Sequence, residues 1–346
     1  MTKTLFAEKG VLSSNIQNIF FIFIHQSSKR STDNCTFFMH MSFFRFFCVL
    51  SMFVWGWESF ISARTGRALI VAVGEYPEDG GWENIHGDND GVLMTELLRR
   101  HHYSQIILLK NEKATKEAIN RSLQQLCDDT DAGDYLFLHF SCHGQQMMDL
   151  NGDEEDGLDE ALIPYDAWCW YLPGVYEGEK HLCDDELGSW IDRLRHKAGR
   201  TGQVFVLLDA CHSGTANRYT PGLFIRGVNM IFAPDGYCPK PGTHLERSLK
   251  LKPLDNLAPA LVLTACKPEE TNYEYYSRKS RCHYGKLTYS FVQVATRNSQ
   301  AFTAGDWCKV IEKTMRQLPS SSLARLQHPY MECSDEKERF VLSVIH

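Results

Sequence analysis

An unbroken apolar run, Val204–Leu208, stops abruptly at the sequence Asp-Ala-Cys-His-Ser-Gly, residues 209–214. A run that is short, rich in β-branched residues and bounded by polar and turn residues is typical of a strand buried on both faces of a parallel sheet. In such sheets, ligands bind at the carboxyl ends of the strands. The pattern therefore predicts that Cys211 lies at the mouth of a cleft, followed by a turn of small residues.

A second predicted buried strand, Asp134–Phe140, ends in the same way, with Ser141-Cys-His-Gly144. Two neighbouring strands that end in a histidine and a cysteine would bring an imidazole and a thiol together. Because a thiol is mostly un-ionised at neutral pH, it needs a nearby base to act as a nucleophile. His143 and Cys211 are therefore predicted to be catalytic. The alternative, a buried apolar cysteine and a core histidine, is favoured less when both residues follow strands and precede small residues.

Strands and helices alternate from Arg67 onward. Further buried strands are predicted at Ala68–Gly74, Ile106–Leu109 and Ala260–Ala265, with a late strand at Phe340–Val344. The predicted helices start at Asp88 or Asn89, after Thr115 and at Asp184-Asp185, with two more at Leu287–Thr296 and Ala304–Leu318. This alternation predicts an α/β fold with a mostly parallel central sheet flanked by helices on both faces.

The composition of the chain argues against some classes of protein function. The net charge is −7 and no lysine- or arginine-rich stripe is present, which argues against nucleic-acid binding. Of the twelve cysteines, ten follow residue 63, and none forms a C-x-x-C pair. If Cys211 stays a thiol, nine others remain, an odd number for a fully paired framework. Few or no disulfides are expected.

The first 63 residues do not match the rest. Residues 1–40 show no periodicity and are assigned no fold. Arg45, the apolar run Phe46–Trp57 and the small residues after Ile61 have the layout of a signal peptide over 41–63, with Met41 as the true start and residues 1–40 a mis-assigned upstream stretch. The protein would then be secreted or periplasmic and its mature form not membrane-spanning. The alternative is an apolar anchor, and without export the protein is expected to be cytoplasmic.

An acidic loop occupies Asn151–Glu160. Its carboxylates, with Asp184 and Asp185 further on, are suited to share a hard cation, although the glycine spacing is not that of an EF-hand. A solvated acidic turn, followed by acids that favour the first turn of a helix, explains the residues equally well. Both interpretations stay open on the residues alone.

These motifs occur in an order that resembles the metacaspases, among the caspase-like cysteine peptidases. The motifs are Ser-x-His-Gly-x-Gln, the acidic loop, Asp-Asp-Glu-Leu and Asp-x-Cys-His-Ser-Gly, and the resemblance extends from about residue 66 to 346. It implies a caspase-like fold, protein or peptide substrates and a His143–Cys211 dyad. The backbone N–H groups of Gly144 and Cys211 would hold the oxyanion, and the chemistry itself requires no cofactor.

The resemblance also implies a substrate pocket. Asp90 and Ser141 match pocket positions of the family, and strand alternation places the side chain of Asp209 on the same side as Cys211. A carboxylate-lined pocket predicts cleavage after arginine or lysine. For Asp209, a purely structural role in capping the following turn is the alternative.

Calcium is the activator that the resemblance implies. Asp159, Asp184 and Asp185 match the family's metal ligands, but Arg218 stands where the family has a fourth carboxylate, which would weaken the site. The 215–259 loop contains several basic residues and is interpreted either as a self-processing segment or as a surface loop. Two other functions stay open: a non-catalytic caspase-like interaction module, and a Cys–His amidase or acyltransferase.

Overall fold

The structure, a computed structural model, describes residues 64–152, 154–211, 223–240, 249, 251, 256–298, 300–319 and 327–344. The predicted segments 1–40 and 41–63 lie outside this range, as does Arg218, so the interpretations that depend on them stay predictions. Of the 215–259 loop, residues 223–240, 249, 251 and 256–259 are described.

Six strands form the central sheet, in the order β12-β8-β7-β3-β1-β2. Five of them are parallel, and the edge strand β12 is antiparallel to β8. Numbered in chain order, the strands are β1 Gly66–Ala72, β2 Tyr103–Lys110, β3 Tyr135–Ser141, β7 Gln203–Asp209, β8 Ala260–Thr264 and β12 Tyr330–Cys333. Every residue of β1, β3 and β7 is buried, as expected for apolar runs covered on both faces. The mostly parallel sheet predicted from the sequence is confirmed.

Five helices cover the two faces of the sheet: α1 Gly87–Arg100, α2 Lys116–Asp129, α3 Asp184–Ala198, α4 Lys286–Arg297 and α5 Ala304–Gln317. The apolar sides of α2 and α3 pack in one core cluster with Leu69 and Val71 of β1. Those of α1, α4 and α5 pack in a second cluster with Ala68 and Ile70. Because neighbouring strand residues point to opposite faces, one strand supplies both cores. Short 3₁₀ helices lie at Glu78–Gly80 and Asn111–Lys113.

Two predicted boundaries need correction. Helix α1 begins at Gly87 with His86 at its N-cap, not at Asp88 or Asn89. A Cβ at Gly87 would lie 2.4 Å from the carbonyl oxygen of Val73, so a glycine lets the helix start directly against the ends of the strands. The predicted late strand is reduced to β13, Arg339–Phe340, which pairs with β11, Phe302–Thr303, outside the central sheet.

Two small sheets were not predicted. The strands β4 Gly144–Met148, β5 Leu158–Leu162 and β6 Leu182–Cys183 form an antiparallel sheet. The strands β9 Glu274–Ser277 and β10 Cys282–Gly285 form a hairpin. These strands are two to five residues long and mix polar with apolar residues, so their sequences lack the continuous apolar run of the central strands.

The ten cysteines after residue 63 are all described and none of them is in a disulfide. Across the described part of the chain, no helix combines the length and apolar character needed to cross a bilayer.

Candidate active site

Parallel pairing brings the two predicted catalytic residues to the same edge of the sheet. Strands β3 and β7 are adjacent, and their last residues, Ser141 and Asp209, are directly paired. His143 and Cys211 each follow two residues later, so both leave the sheet at the carboxyl ends of neighbouring strands. Both side chains are almost fully buried, with residue exposures of 3% and 2%.

The ring of His143 is held by neighbours that the sequence did not indicate. It stacks on Trp82 with the ring centroids 5.0 Å apart and lies 5.2 Å from the ring of Tyr76. Its Nε2 lies 2.8 Å from the carbonyl oxygen of Glu83. Because a carbonyl oxygen only accepts, Nε2 carries the proton in the neutral imidazole and Nδ1 carries the lone pair. This tautomer leaves Nδ1 as the atom able to take a proton.

The thiol of Cys211 lies beside a second thiol. Cys211 Sγ is 3.2 Å from the carbonyl oxygen of Glu270, to which it donates, and 3.6 Å from the Sγ of Cys266. A hydrogen bond to Cys211, together with burial, raises the pKa of Cys266 well above its usual value. Cys266 therefore stays protonated and acts as a weak donor to the neighbouring sulfur.

The predicted pocket residues Asp90, Ser141 and Asp209 converge, and an arginine of the same chain lies among them. The hydroxyl of Ser141 donates to Asp90 over 2.8 Å. Nη1 of Arg226 donates to Ser141 Oγ at 2.6 Å and lies 2.8 Å from Asp90 and 3.5 Å from Asp209. All four residues are fully buried. The three predicted residues thus form one site, and its occupant is a guanidinium.

A third carboxylate, Glu274, completes the group. Its Oε1 accepts hydrogen bonds from Nε and Nη2 of Arg226 at 3.2 and 3.0 Å. Glu274 opens strand β9, 65 residues beyond Asp209 in the sequence, and belongs to no motif. Asp90, Asp209, Glu274 and Arg226, with side chains that are all buried, are called the acid cluster below.

The charges of the acid cluster act on one another. Burial alone would lower the pKa of Arg226, but Asp90, Asp209 and Glu274 outweigh it and raise that pKa. Burial, only partly offset by Arg226, raises the pKa of Asp90 to about 7. For Glu274, Arg226 and then His86 outweigh the effect of burial and lower the pKa to about 2. The cluster is therefore held together by a fixed positive charge and depends on it.

Asp209 also has a structural role, at a different place from the turn-capping role that was weighed as its alternative. Its Oδ2 accepts from the backbone N–H and the hydroxyl of Thr288, at 2.8 and 2.7 Å, in the first turn of α4. Its Oδ1 accepts from the side-chain amide of Asn272 at 2.8 Å. Asp209 thus anchors the start of a helix and faces the guanidinium at the same time. The turn that follows Cys211 lies outside the described residues, so the predicted capping of that turn stays a prediction.

Residues 223–228, called the cleft segment below, run past both residues that are predicted to be catalytic. Gly227 lines a small cavity with His143, Trp82 and Glu83. A Cβ built on Gly227 would lie 2.1 Å from the carbonyl oxygen of Cys211, so the two backbones are in close contact. The cleft segment therefore passes close to both His143 and the backbone of Cys211.

The two residues whose backbone N–H groups are predicted to hold the oxyanion, Cys211 and Gly144, have different backbone partners. The backbone N–H of Cys211 donates to the carbonyl oxygen of Arg226 over 2.8 Å. Gly144 opens strand β4, where it is paired with Leu162. The N–H of Cys211 is thus already directed at a carbonyl group of a peptide chain.

The predicted metal ligands lie near one another. Burial, and then the charges of neighbouring carboxylates, raise the pKa values of Asp159 and Asp184 to about 7 each. Asp185 contributes to both shifts, and its carboxylate accepts from the side chain of Asn151 at 2.5 Å. Asp184 and Cys211 both line a cavity of about 80 Å³, which connects the acidic region with the cysteine.

Among the described residues, one group has metal-ligating atoms that all lie within 4.8 Å of one another: His86, Glu274 and His283. The three aspartates do not converge to that degree within the described residues. A cation bound by them would have to draw their carboxylates together.

The chain is similar to known peptidases over part of its length. A family model described as "Metacaspase, peptidase C14 domain" matches residues 67–219. Metacaspase-1B of Aspergillus terreus is 33% identical over 164 residues, which cover 45% of this chain and 40% of that protein. Metacaspase-1 of Arabidopsis thaliana is 27% identical over 240 residues, which cover 66% and 59%. The chain thus spans less than two thirds of each of these relatives.

A solved structure shares the fold. The crystal structure of a Geobacter sulfurreducens protein superposes with a TM-score of 0.55 and 18% sequence identity, covering 82% of this chain and 100% of that one. At this level of identity the likeness shows the fold alone.

Proposed function

We propose that the chain, whose residues 67–219 match the metacaspase, peptidase C14 family model, is a cysteine endopeptidase that cleaves peptide bonds after arginine or lysine. One observation carries the specificity: the guanidinium of Arg226 lies in the acid cluster, beside Asp90 and Glu274. A fully buried pocket with three carboxylates favours a basic side chain and repels an acidic one.

The chemistry follows from the two strand ends. The thiolate of Cys211 attacks the carbonyl carbon of the residue held in the pocket, and the backbone N–H of Cys211 stabilises the developing oxyanion. The carbon–nitrogen bond breaks as His143, protonated in forming the thiolate, gives its proton to the leaving amine. Water then hydrolyses the thioester, which releases the new carboxylate and restores the thiol.

The position of Arg226 supports the proposal that the 215–259 loop contains a self-processing site. Its side chain lies among the pocket carboxylates, and its carbonyl oxygen accepts from the N–H of Cys211. The next residue, Gly227, lies beside His143. The bond between Arg226 and Gly227 is therefore the bond that we propose the protein cuts in itself.

A peptide panel tests the activity and the self-processing together. Fluorogenic peptides ending in arginine or lysine are expected to be cleaved at least tenfold faster than peptides ending in asparagine or aspartate, because buried carboxylates disfavour neutral and acidic side chains by more than about 1.4 kcal/mol. Mass spectrometry of the incubated protein is expected to show a new carboxyl terminus at Arg226. Cys211→Ala protein, the control, should do neither.

Two outcomes would contradict this proposal. Fastest turnover of the aspartate peptide would overturn the pocket assignment. Absence of turnover for every peptide, from protein that is folded by circular dichroism, would favour the non-catalytic module.

We also propose calcium as an activator, held by Asp159, Asp184 and Asp185. The donor set fits a hard cation, because Asp184 Oδ1 is buried with no hydrogen-bond partner in the described residues. Bound calcium would neutralise the mutual repulsion of these carboxylates, next to the cavity that Cys211 lines. The chain's own residues carry out every step of the bond cleavage.

The raised carboxylate pKa values predict how stability depends on pH. Because Asp159 and Asp184 titrate near pH 7 in the folded protein and near 4 when unfolded, the folded state binds more protons in between. Without calcium, these two groups should therefore make stability fall as pH rises from about 4 to 7. At pH 7.5, calcium at about 100 times its Kd should restore about 2–3 kcal/mol.

Scanning calorimetry with calcium, magnesium or a chelator checks this prediction. In Asp184→Asn protein the stability without calcium should rise and the response to calcium should disappear. Asp129→Asn, an exposed aspartate at the end of α2, is the matched control. Superimposable melting curves with and without calcium at pH 7.5 would refute the calcium site.

A further inference from the structure

The cleft segment lies in the site as an added strand. The backbone N–H of Arg226 donates to the carbonyl oxygen of Asn272 over 3.1 Å, and the N–H of Glu274 donates to the carbonyl oxygen of Phe224 over 3.1 Å. Ile225 and Tyr273 form an antiparallel bridge between them. Addition of an extended peptide to an exposed backbone edge is a general mode of peptide recognition. The segment thus gives the register of a bound peptide, with residue 226 immediately before the bond to be cut.

In this register, every second side chain points the same way. Phe224 therefore lies on the side of Arg226, and its ring meets two histidines edge to face. The centroid distances are 4.5 Å to His86 and 4.8 Å to His283. The two imidazoles stack on each other at 4.7 Å. Edge-to-face and stacked contacts at these distances are the favourable geometries of aromatic pairs.

Each histidine is held in place by the fold. His86 precedes helix α1, and its Nδ1 contacts Glu274 Oε2 at 2.6 Å. His283 lies in β10, where its Nδ1 is buried with no hydrogen-bond partner in the described residues. Burial, and then the nearby His86, lower the pKa of His283. Its ring is therefore a neutral aromatic surface.

Glu274 connects this surface with the acid cluster. Its Oε1 accepts from Arg226, and its Oε2 contacts His86. The hydrogen bond to Glu274 raises the pKa of His86. One carboxylate therefore positions both the group that binds the arginine and the ring that binds the residue two positions earlier.

Resting on the proposed peptidase activity, we infer that His86 and His283 form a binding subsite for an aromatic side chain two residues before the arginine at which a substrate is cut. The chemical class is a peptide of the form aromatic-x-Arg, of which Phe224-Ile225-Arg226 is the copy within the chain. None of the sequence motifs includes either histidine.

Paired peptides test the subsite. Leu-Phe-Ile-Arg and Leu-Ala-Ile-Arg, each with a fluorogenic leaving group, should differ about 3- to 10-fold in kcat/KM in favour of phenylalanine, as expected for aromatic contacts. His283→Ala should bring this ratio close to one. His196→Ala, an exposed histidine in the last turn of α3, is the matched control and should keep the ratio.

A binding measurement separates this inference from the proposed activity. The Phe224→Ala/Arg226→Ala protein removes the anchors of its own cleft segment, and calorimetry compares the two peptides as free acids. Tighter binding of the phenylalanine peptide supports the subsite even if nothing is cleaved. Equal affinities, or cleavage of both peptides at equal rates, overturn the subsite while the peptidase assignment stands.

If the double variant does not fold, the rate of self-cleavage in single variants of Phe224 tests the subsite instead. The cut after Arg226 should slow about 3- to 10-fold in Phe224→Ala and keep its rate in Phe224→Trp, because tryptophan preserves the aromatic contact. Equal rates in both variants would overturn the subsite.

Discussion

Arg226→Ala is expected to lower the free energy of unfolding by about 3–5 kcal/mol, the usual effect of removing one partner of a buried ion pair. The reason is the imbalance that it leaves: Asp90, Asp209 and Glu274 keep fully buried side chains without their common cation. Urea titrations of intact protein, with Cys211→Ala as the background to prevent self-cleavage, measure the loss.

The loss should depend on pH in a defined direction. The pKa of Asp90 is about 7 even with Arg226 present, and it rises further when the cation is removed. Protonation relieves the repulsion at low pH, so the variant should be closest to the parent near pH 5 and furthest from it near pH 8. Arg226→Lys should lose less at every pH. Arg99→Ala, an exposed arginine in the last turn of α1, should change stability by less than about 0.5 kcal/mol.

Unchanged stability of the Arg226→Ala protein at pH 8 would contradict this account. It would mean that the carboxylates are compensated by another group, and that the pocket does not depend on a bound cation.

His143→Ala is expected to lower kcat/KM for arginine peptides by about 10²- to 10⁴-fold, the usual contribution of a positioned general acid–base. Because Nε2 of His143 donates to the carbonyl oxygen of Glu83, Nδ1 is unprotonated in the neutral ring. A base that removes the thiol proton must have such an unprotonated nitrogen. Alkylation of Cys211 by iodoacetamide should slow as well, because the thiolate loses its partner. Steady-state kinetics and alkylation rates measure both effects.

The control for this prediction is His196→Ala, which should leave both rates within twofold of the parent. Turnover of the His143→Ala protein within tenfold of the parent would show that another base activates the thiol. In that event the alkylation rate would also stay unchanged.

That His143 and Cys211 leave the sheet at neighbouring strand ends, and that Asp90, Ser141 and Asp209 converge, was predictable from the sequence. Cys211 and His143 each follow a short, fully buried strand, and parallel pairing brings the ends of such strands together. Asp90 and Ser141 came from the family pattern, and the structure brings both into contact with Arg226. Local periodicity and motif order were sufficient for these residues.

The remaining site residues carry no local signal. Arg226 lies in a loop rich in glycine and proline, and its partner Glu274 is 48 positions away. Trp82 and His283 act through ring contacts with residues far along the chain. Such contacts arise only when the tertiary fold is complete, and no periodicity of the sequence encodes them. The acidic nature of the pocket was predictable, and a self-processing segment was one of two interpretations of the 215–259 loop, but no local pattern distinguished Arg226 from the other basic residues of that loop.

The surplus of negative charge in the acid cluster has a consequence for the cleaved protein. If the chain is cut after Arg226 as proposed and the cut segment departs, the three acidic side chains lose their common cation. Asp90 then takes up a proton more readily, and the space must take up water and mobile cations to balance the charge that remains. The pocket then behaves as an ion-exchange site, in which sodium, potassium and incoming basic peptides compete for the same binding site. The ionic composition of the solution, and not only the substrate concentration, would then set the fraction of pockets that hold a basic side chain of a substrate.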